Sequence, residues 1–239
     1  MLWLDENNIT AIPACLPKLA KLNVLGVRNC KLLQEIPALP ASMWTIDAFG
    51  CESLQRCSQL ESMLRDNGPE QIIFANCHRL ISTHGDQLMS IMRPEGFVRE
   101  RKMILIPGSA IPEWFSHKST KSFISFQAPV GTSTDTISLV VGICGRITWC
   151  EIQVFINGKR VSINDWFCRQ HLNNFKESDN LLLAYIPEIF LPSSREDYID
   201  LEVKVVSLNR ILDETLGLKA LGVYLMEGKF EEIDSLRDM

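Results

Sequence analysis

The sequence predicts two folds in series, the end of an α/β solenoid of short parallel strands and then an all-β antiparallel sandwich. Three observations predict them: a side-chain pattern that returns four times in one register before residue 81, a change of hydrophobic period after Met103, and a turn-rich junction that delivers two adjacent aromatics.

The repeated pattern reads Leu2-x-Leu4-x-x-Asn7, Leu25-x-Val27-x-x-Cys30, Ile46-x-Ala48-x-x-Cys51 and Ile72-x-Phe74-x-x-Cys77. Two apolar residues two apart leave a short strand on the same side, and an Asn or Cys three positions later can turn inward to bond the backbone at the bend. The anchors lie 23, 21 and 26 residues apart, within the leucine-rich-repeat range of about 20 to 29. Ile9, Leu32 with Leu33, Leu54 and Leu80 follow the anchors and close each turn. A coil of this kind cannot bury its apolar face alone, so each leans on the next and the array needs caps. Met1 falls directly on the first strand, which predicts that the chain is the carboxy-terminal part of something longer.

Residues 1–81 are therefore read as terminal repeats. Ser58 to Arg65 places Leu60, Met63 and Leu64 at helical spacing and is ended by Asn67-Gly68-Pro69. A second helical stretch, Asp86 to Met92, stops before Pro94, and with the charged run Arg99 to Lys102 it forms a cap and connector over 82–102.

From residue 103 to 228 the period is two. Ile199, Leu201, Val203 and Val205 alternate with Asp200, Glu202 and Lys204, the mark of a strand with one buried and one wet face. Glu151 to Ile156 alternates likewise into Asn157-Gly158, a strong hairpin signal because both residues tolerate positive φ. Further strands are expected at 103–106, 122–127, 136–144, 181–186 and 221–226, which together imply an antiparallel sandwich. Residues 229–239 form an acidic tail.

Composition narrows the function. The net charge is −5 with no Lys/Arg run, so the electrostatic footprint of nucleic-acid binding is missing. The longest apolar stretch, near Ile137 to Cys144, is far shorter than the roughly 18 residues of a membrane span. Of eight cysteines, Cys30, Cys51 and Cys77 serve inside the repeats, which predicts reduced thiols and not a disulfide framework. Asn8-Ile9-Thr10 is a formal glycosylation sequon, with no meaning in the cytosol.

The junction reads Ile106-Pro107-Gly108-Ser109-Ala110-Ile111-Pro112-Glu113-Trp114-Phe115. A turn followed by a stiff extended segment presents Trp114 and Phe115 either as a plug for the sandwich or as a contact for a partner. This run, with Ser122 to Phe126, Leu39-Pro40-Ala41-Ser42-Met43 and Phe74-Ala75-Asn76-Cys77, closely resembles the end of plant TIR-type nucleotide-binding leucine-rich-repeat immune receptors, in which the repeats are followed by a C-terminal jelly-roll/Ig-like domain. The motif residues are Pro107, Gly108, Ser109, Ile111, Pro112, Glu113, Trp114 and Phe115. The chain departs from the family at Ala110, where an acidic residue is usual, and at Leu221, where a Cys often precedes the glycine.

The resemblance implies an intracellular recognition module, cytoplasmic or nuclear, that binds a pathogen effector protein and works with the remainder of a receptor or with a paralogue. The family's NAD-cleaving TIR domain is not in this chain, and no G-x-x-x-x-G-K-[ST] loop is present, Gly228-Lys229 lacking the upstream glycine and the hydroxyl residue. No catalysis and no cofactor are therefore expected. Repeat geometry puts Trp3, Asp5, Gly26, Arg28, Asp47, Phe49, Ile73 and Ala75 on the open concave face. Of these Trp3, Asp5, Arg28, Asp47 and Phe49, with Trp114 and Phe115, are the expected partner-binding residues. In the sandwich the loops 130–135 and 166–179 are the candidates.

Catalytic readings are weaker. Cys168-x-x-His171 is half of a zinc site with no second pair. His78 beside Cys77, and His117 near Ser116 and Ser119, lack the triad geometry of a nucleophile and base. Two alternatives stand beside the receptor reading, a decoy or adaptor acting with a full-length paralogue and a lectin-like or enzymatic sandwich of unknown substrate.

Overall fold

The computed structural model describes residues 1–64, 68–93, 101–129, 136–146, 150–163, 178–191, 197–207 and 217–226. In chain order the elements begin with β1 (Leu2–Trp3), a 3-10 turn (Leu16–Lys18), β2 (Val24–Gly26), β3 (Glu35–Ile36), β4 (Thr45–Asp47), β5 (Arg56–Cys57), α1 (Leu60–Leu64), β6 (Gln71–Ile73) and α2 (His78–Ile91). Then follow β7 (Lys102–Pro107), β8 (His117–Ser119), β9 (Phe123–Pro129), β10 (Thr136–Arg146), β11 (Cys150–Ile156), β12 (Lys159–Val161), β13 (Asn180–Phe190), β14 (Tyr198–Ser207) and β15 (Gly217–Met226).

The molecule is mostly β-sheet. β1, β2, β4 and β6 stack in parallel, one strand per sequence period, with Leu2 opposite Leu25, Leu25 opposite Ile46 and Ile46 opposite Ile72. A second short parallel pair, β3 with β5, lines the outer side of the same coils. The bends share one device. The residue before each anchor has positive φ, Glu6 at 59°, Asn29 at 54°, Gly50 at 71° and Asn76 at 62°. Gly, and Asn among the others, populate this region at low cost. Each bend then turns its anchor inward, and the Cys30 thiol donates to Leu4 O, Cys51 to Val27 O and Cys77 to Ala48 O, all at 3.0 Å. The thiol of one coil thus satisfies a carbonyl of the coil before it. Asn7 donates within its own coil, to Leu4 O at 3.0 Å.

The parallel stack does not end at β6. β7 pairs with it in parallel, Ile72 opposite Ile104, and β13, β10, β15 and β8 continue antiparallel, giving a nine-stranded sheet in the order β1-β2-β4-β6-β7-β13-β10-β15-β8. The second sheet, β12-β11-β14-β9, is antiparallel throughout. Its inward residues, Ile152, Val154, Leu201, Val203 and Val205 among them, meet Leu105, Val141, Ile143 and Leu182 of the large sheet in one apolar core. The opposite face of the large sheet, with Ile104, Ile106, Leu181, Leu183 and Val140, joins the interior of the coils.

Several expectations change in detail. The helix expected at 86–92 starts at His78, directly after the last anchor, because Leu80, Leu88 and Met92 must close the open end of the coil interior. The expected helix at 58–65 is shorter, Leu60–Leu64, with residues 65–67 outside the described residues. β13 runs to Phe190, beyond 186. Pro187 is accommodated there by a register shift opposite Ile137 and Leu139 and by Glu188 at φ 50°. β8 and the outer β3/β5 pair, all two or three residues long, were not anticipated, since strands so short carry no readable period. Asn157 and Gly158 form the expected hairpin, both at positive φ, and Asn157 Oδ1 accepts the Asp200 N–H at 2.8 Å. The acidic tail, 229–239, lies outside the described residues.

The junction motif has a definite place. The Phe115 ring lies over the Gly142–Gly222 pair, which are directly opposite one another on β10 and β15. A methyl group at Gly142 would fall 2.7 Å from Phe115 Cζ, and one at Gly222 would fall 2.6 Å from Ile111 Cγ2 and 2.8 Å from Phe115 Cδ1. The two glycines together make the trough that the ring fills. Gly142→Ala and Gly222→Ala are each expected to destabilise the chain by about 1–3 kcal/mol, and Phe115→Ala by about 3–5 kcal/mol, read as urea midpoints. If the glycine variants are as stable as the parent, the ring does not depend on that trough.

Candidate functional site

The inner face of the coils is one row of the large sheet, in which Trp3 lies opposite Gly26, Gly26 opposite Asp47, Asp47 opposite Ile73 and Ile73 opposite Leu105. The row passes from water into the core of the two-sheet region. Trp3 is 57% exposed at one end, while Ile73 and Leu105 are buried. At the exposed end the indole turns its Cε3–Cζ3 edge to its neighbour, and a methyl group at Gly26 would meet Trp3 Cε3 at 2.1 Å and Asp5 Oδ1 at 3.1 Å. Indole edge and carboxylate therefore converge over a residue with no side chain.

Asp5 Oδ1 also accepts the backbone N–H of Arg28 at 2.9 Å. The Arg28 side chain is directed elsewhere. Its Nε lies 3.7 Å from Asp47 Oδ2, and its guanidinium sits 5.3 Å from the centroid of the Phe49 ring. Asp47 in turn accepts the Phe49 N–H at 3.1 Å. Burial at the edge of the core pushes the Asp47 carboxyl up to about 6, against the opposing pull of Arg28 and of the Phe49 N–H. Its position in the row explains this, with Ile73 beyond it and polar Arg28 and Asp5 on the other side.

Trp3, Asp5, Arg28, Asp47 and Phe49 are thus brought close together along this row. The expectation that Phe49 is open to a partner is overturned, because only 6% of it is exposed and it packs with Ile73 and Ala75 in the core shared by the two sheets. Ile73, Ala75 and Gly26 are buried likewise, so the open part of the inner face is confined to the first coils. The cause is the pairing of β6 with β7, which continues this face as the inner face of the two-sheet region.

Of the junction motif, Pro107, Ile111 and Phe115 are buried and Ser109 and Glu113 exposed, with Gly108, Pro112 and Trp114 between. Phe115 is 3% exposed, so its expected role as a partner contact is corrected to a plug. Trp114 stacks on it at 4.1 Å and meets the edge of Tyr224 at 5.7 Å, and its Nε1 has no hydrogen-bond partner among the described residues. Gly108 holds the turn, with its N–H donating to Asp179 O at 3.3 Å and its carbonyl accepting from the Cys144 thiol at 3.6 Å.

Sequence reading missed a polar seam beside this turn. Buried Asn180 accepts the Asn76 N–H at 3.4 Å, and Ser178 Oγ donates to Asn76 Oδ1. Lys219 pairs with Asp179. The one legible signal was Asn76, in register with Asn29 and Gly50 at the bend position. The cysteines Cys15, Cys30, Cys51, Cys57, Cys77, Cys144 and Cys150 are all free. Burial raises the thiols of Cys51 and Cys57 to about 12 and that of Cys144 to about 11.

Cys168, His171 and the loops 130–135 and 166–177 lie outside the described residues. His78 is exposed, and His117 stacks on Phe126 with ring centroids 3.7 Å apart. Among the described residues no cluster of His, Cys, Asp and Glu could hold a metal ion, and no helix is long and apolar enough to cross a membrane.

By fold, then, the chain is a stack of parallel strands merged into a two-sheet antiparallel region, with an aromatic and ionic array on the open end of one face. Its relatives are plant disease resistance proteins, in agreement with the resemblance carried by the junction motif. It is 23% identical over 92% of its length to the disease resistance-like protein CSA1 of Arabidopsis thaliana. Over 49% and 51% of its length it is 31% and 29% identical to the Arabidopsis thaliana disease resistance-like protein DSC1 and disease resistance protein RPS4. The chain spans 19%, 11% and 11% of those proteins. No family model matches it.

Two outcomes follow from the ionisable groups. Folded Asp47 titrates near 6 and unfolded Asp near 4, so the buried charge opposes folding above pH 6 and the cost fades as pH falls to 4. Asp47→Asn is expected to flatten the dependence of stability on pH in that window and to match or exceed the parent at pH 7.5 by on the order of 1 kcal/mol. A clear loss at pH 7.5 would mean that pairing with Arg28 outweighs burial. In a Cys168→Ala background, one thiol, the exposed Cys15, is expected to react quickly with a disulfide reagent at pH 8 and six only after denaturation. Rapid reaction of several would contradict the inward ladder.

Proposed function

We propose that this chain is the recognition end of an intracellular plant immune receptor of the TIR-type nucleotide-binding leucine-rich-repeat class. The stacked parallel strands of residues 1–81 are its last leucine-rich repeats, 82–102 the cap and connector, 103–228 its jelly-roll/Ig-like domain and 229–239 a tail. Its partner is a pathogen effector protein, bound on the inner face of the coils together with loops of the sandwich, and the chain acts with the rest of a receptor or with a paralogue in the cytoplasm or nucleus. It performs no catalysis and needs no cofactor.

The observation that carries this reading is the array on the inner face, in which Trp3 stands exposed beside the Asp5, Arg28 and Asp47 charges on a rigid sheet. Trp and Arg are the residue types that dominate protein-binding hot spots, and the relatives bearing the disease resistance name supply the context. Burial of Phe49 and Ile73 removes the last coils from that surface and leaves Trp3, Asp5 and Arg28 as its centre.

The test is capture of a panel of purified pathogen effectors by the full chain. Trp3→Ala, with an unchanged urea midpoint, and Arg28→Ala, with a lowered midpoint because buried Asp47 loses its partner but a chain still folded in the assay, are each expected to weaken a captured effector at least about ten-fold, a loss of roughly 1.4 kcal/mol or more. Capture that is indifferent to both substitutions would sink the inner-face assignment.

A further inference from the structure

We propose that the open inner face of the first two coils receives a basic segment of its partner protein, with a lysine or arginine side chain laid on the Trp3 indole and paired with the Asp5 carboxylate. The proposal rests on the reading of this face as a partner-binding surface and names the chemistry it selects.

The local charge decides the sign. Asp5 and Asp47 both border the face, and Arg28 is the cation between them. Arg28 gives Asp5 its backbone N–H, while its guanidinium is turned to Asp47 at 3.7 Å and lies over the Phe49 ring at 5.3 Å. The built-in cation thus sits on the buried side of the row, and among the described residues no cationic side chain pairs with Asp5. An acidic partner would face the Asp5 carboxylate here. A basic one would meet a carboxylate and an exposed aromatic ring in the same place.

The ring is suited to this use. Tryptophan gives the strongest cation–π attraction of the aromatic side chains, and a neighbouring carboxylate adds a charge-assisted hydrogen bond. The absence of a side chain at Gly26 is what lets indole and carboxylate approach one another, since a methyl there would stand 2.1 Å from Trp3 Cε3 and 3.1 Å from Asp5 Oδ1. Trp3 is therefore seated beside Asp5 and exposed before any partner arrives. The net charge of −5 favours the approach of a basic segment at long range as well.

The experiment titrates the full chain with two blocked hexapeptides, acetyl-Gly-Arg-Gly-Lys-Gly-Gly-amide and its acidic counterpart with Asp and Glu, while following the Trp3 indole N–H resonance, assigned by its disappearance in Trp3→Phe. A saturable shift with the basic peptide that weakens with added salt, no shift with the acidic peptide, and affinity about ten-fold weaker in Asp5→Asn is the expected result. Asparagine retains the acceptor for the Arg28 N–H, so the fold is not at stake. Equal responses to both peptides, no Trp3 response, or an Asp5→Asn variant that binds as well as the parent would overturn the proposal. If effector capture depends on Trp3 and Arg28 while the basic peptide fails, only this inference falls; if capture is indifferent to both residues, the inner-face reading falls with it.

Discussion

The parallel pairing of β6 with β7 is the contact on which the rest of the molecule depends. It places Ile72 opposite Ile104 and Ile73 opposite Leu105, so the two faces of the coils become the two faces of the antiparallel region without interruption. The coil interior passes under α2 and the junction segment, where Ile104, Leu183 and the Gly142–Gly222 pair continue the row begun by Leu2, Leu25 and Ile46. The inner face passes into the core between the sheets. One register therefore settles both which residues are buried at the end of the coils and how much of the inner face stays open.

A seam of this kind leaves backbone groups and bend side chains that neither part can satisfy alone, and leaving such groups unpaired in the interior costs about 1–3 kcal/mol each. They are met by side chains from across the boundary. Tyr185 donates to Met92 O at 2.8 Å, which holds β13 to the end of α2, and buried Lys102 donates to Met63 O at 3.4 Å, near the end of α1. Asn180 reaches the last bend through Asn76. Within the coils the cysteine ladder does the same work with a small, nearly apolar donor that fits where a longer polar side chain would not. Protonation is essential to that role, since only the thiol carries a hydrogen to donate, and the burial that raises the thiol pKa values extends the protonated state to alkaline pH.

The sequence disclosed what repeats and alternates. The four anchors, the alternating strand 198–206 and the Asn157-Gly158 hairpin all have local causes, and the structure places each where those causes require. Elements whose cause is non-local were illegible. α2 begins at His78 because the open end of the stack needs Leu80, Leu88 and Met92, although Leu80 already served the repeat pattern. Phe49 carried every mark of an exposed concave residue, and its burial follows from a strand more than fifty residues further on. The array of Asp5, Arg28 and Asp47 was legible as three residues on one face, but not the direction of the Arg28 side chain, which depends on the ring and carboxylate on the next coil.

Two aromatic–glycine pairs in this chain share a geometry and differ in outcome. Phe115 fills the trough at Gly142 and Gly222 after a turn at Pro112, whose carbonyl accepts the Phe115 N–H at 3.3 Å, and it ends 3% exposed because Ile111 and Trp114 pack around it. Trp3 meets Gly26 from its own strand and ends 57% exposed among the described residues. In both, the glycine supplies the room and the ring loses its rotational freedom on folding. For Phe115 that ordering is offset at once by burial. For Trp3 the side chain is already ordered while its outer face still meets water, so contact with that face would remove apolar surface without the usual entropy loss of about 0.5–1.5 kcal/mol for immobilising a side chain. A sheet that fixes an aromatic in advance and leaves its face bare holds binding free energy in reserve, and the neighbouring Asp5 charge gives that reserve a sign.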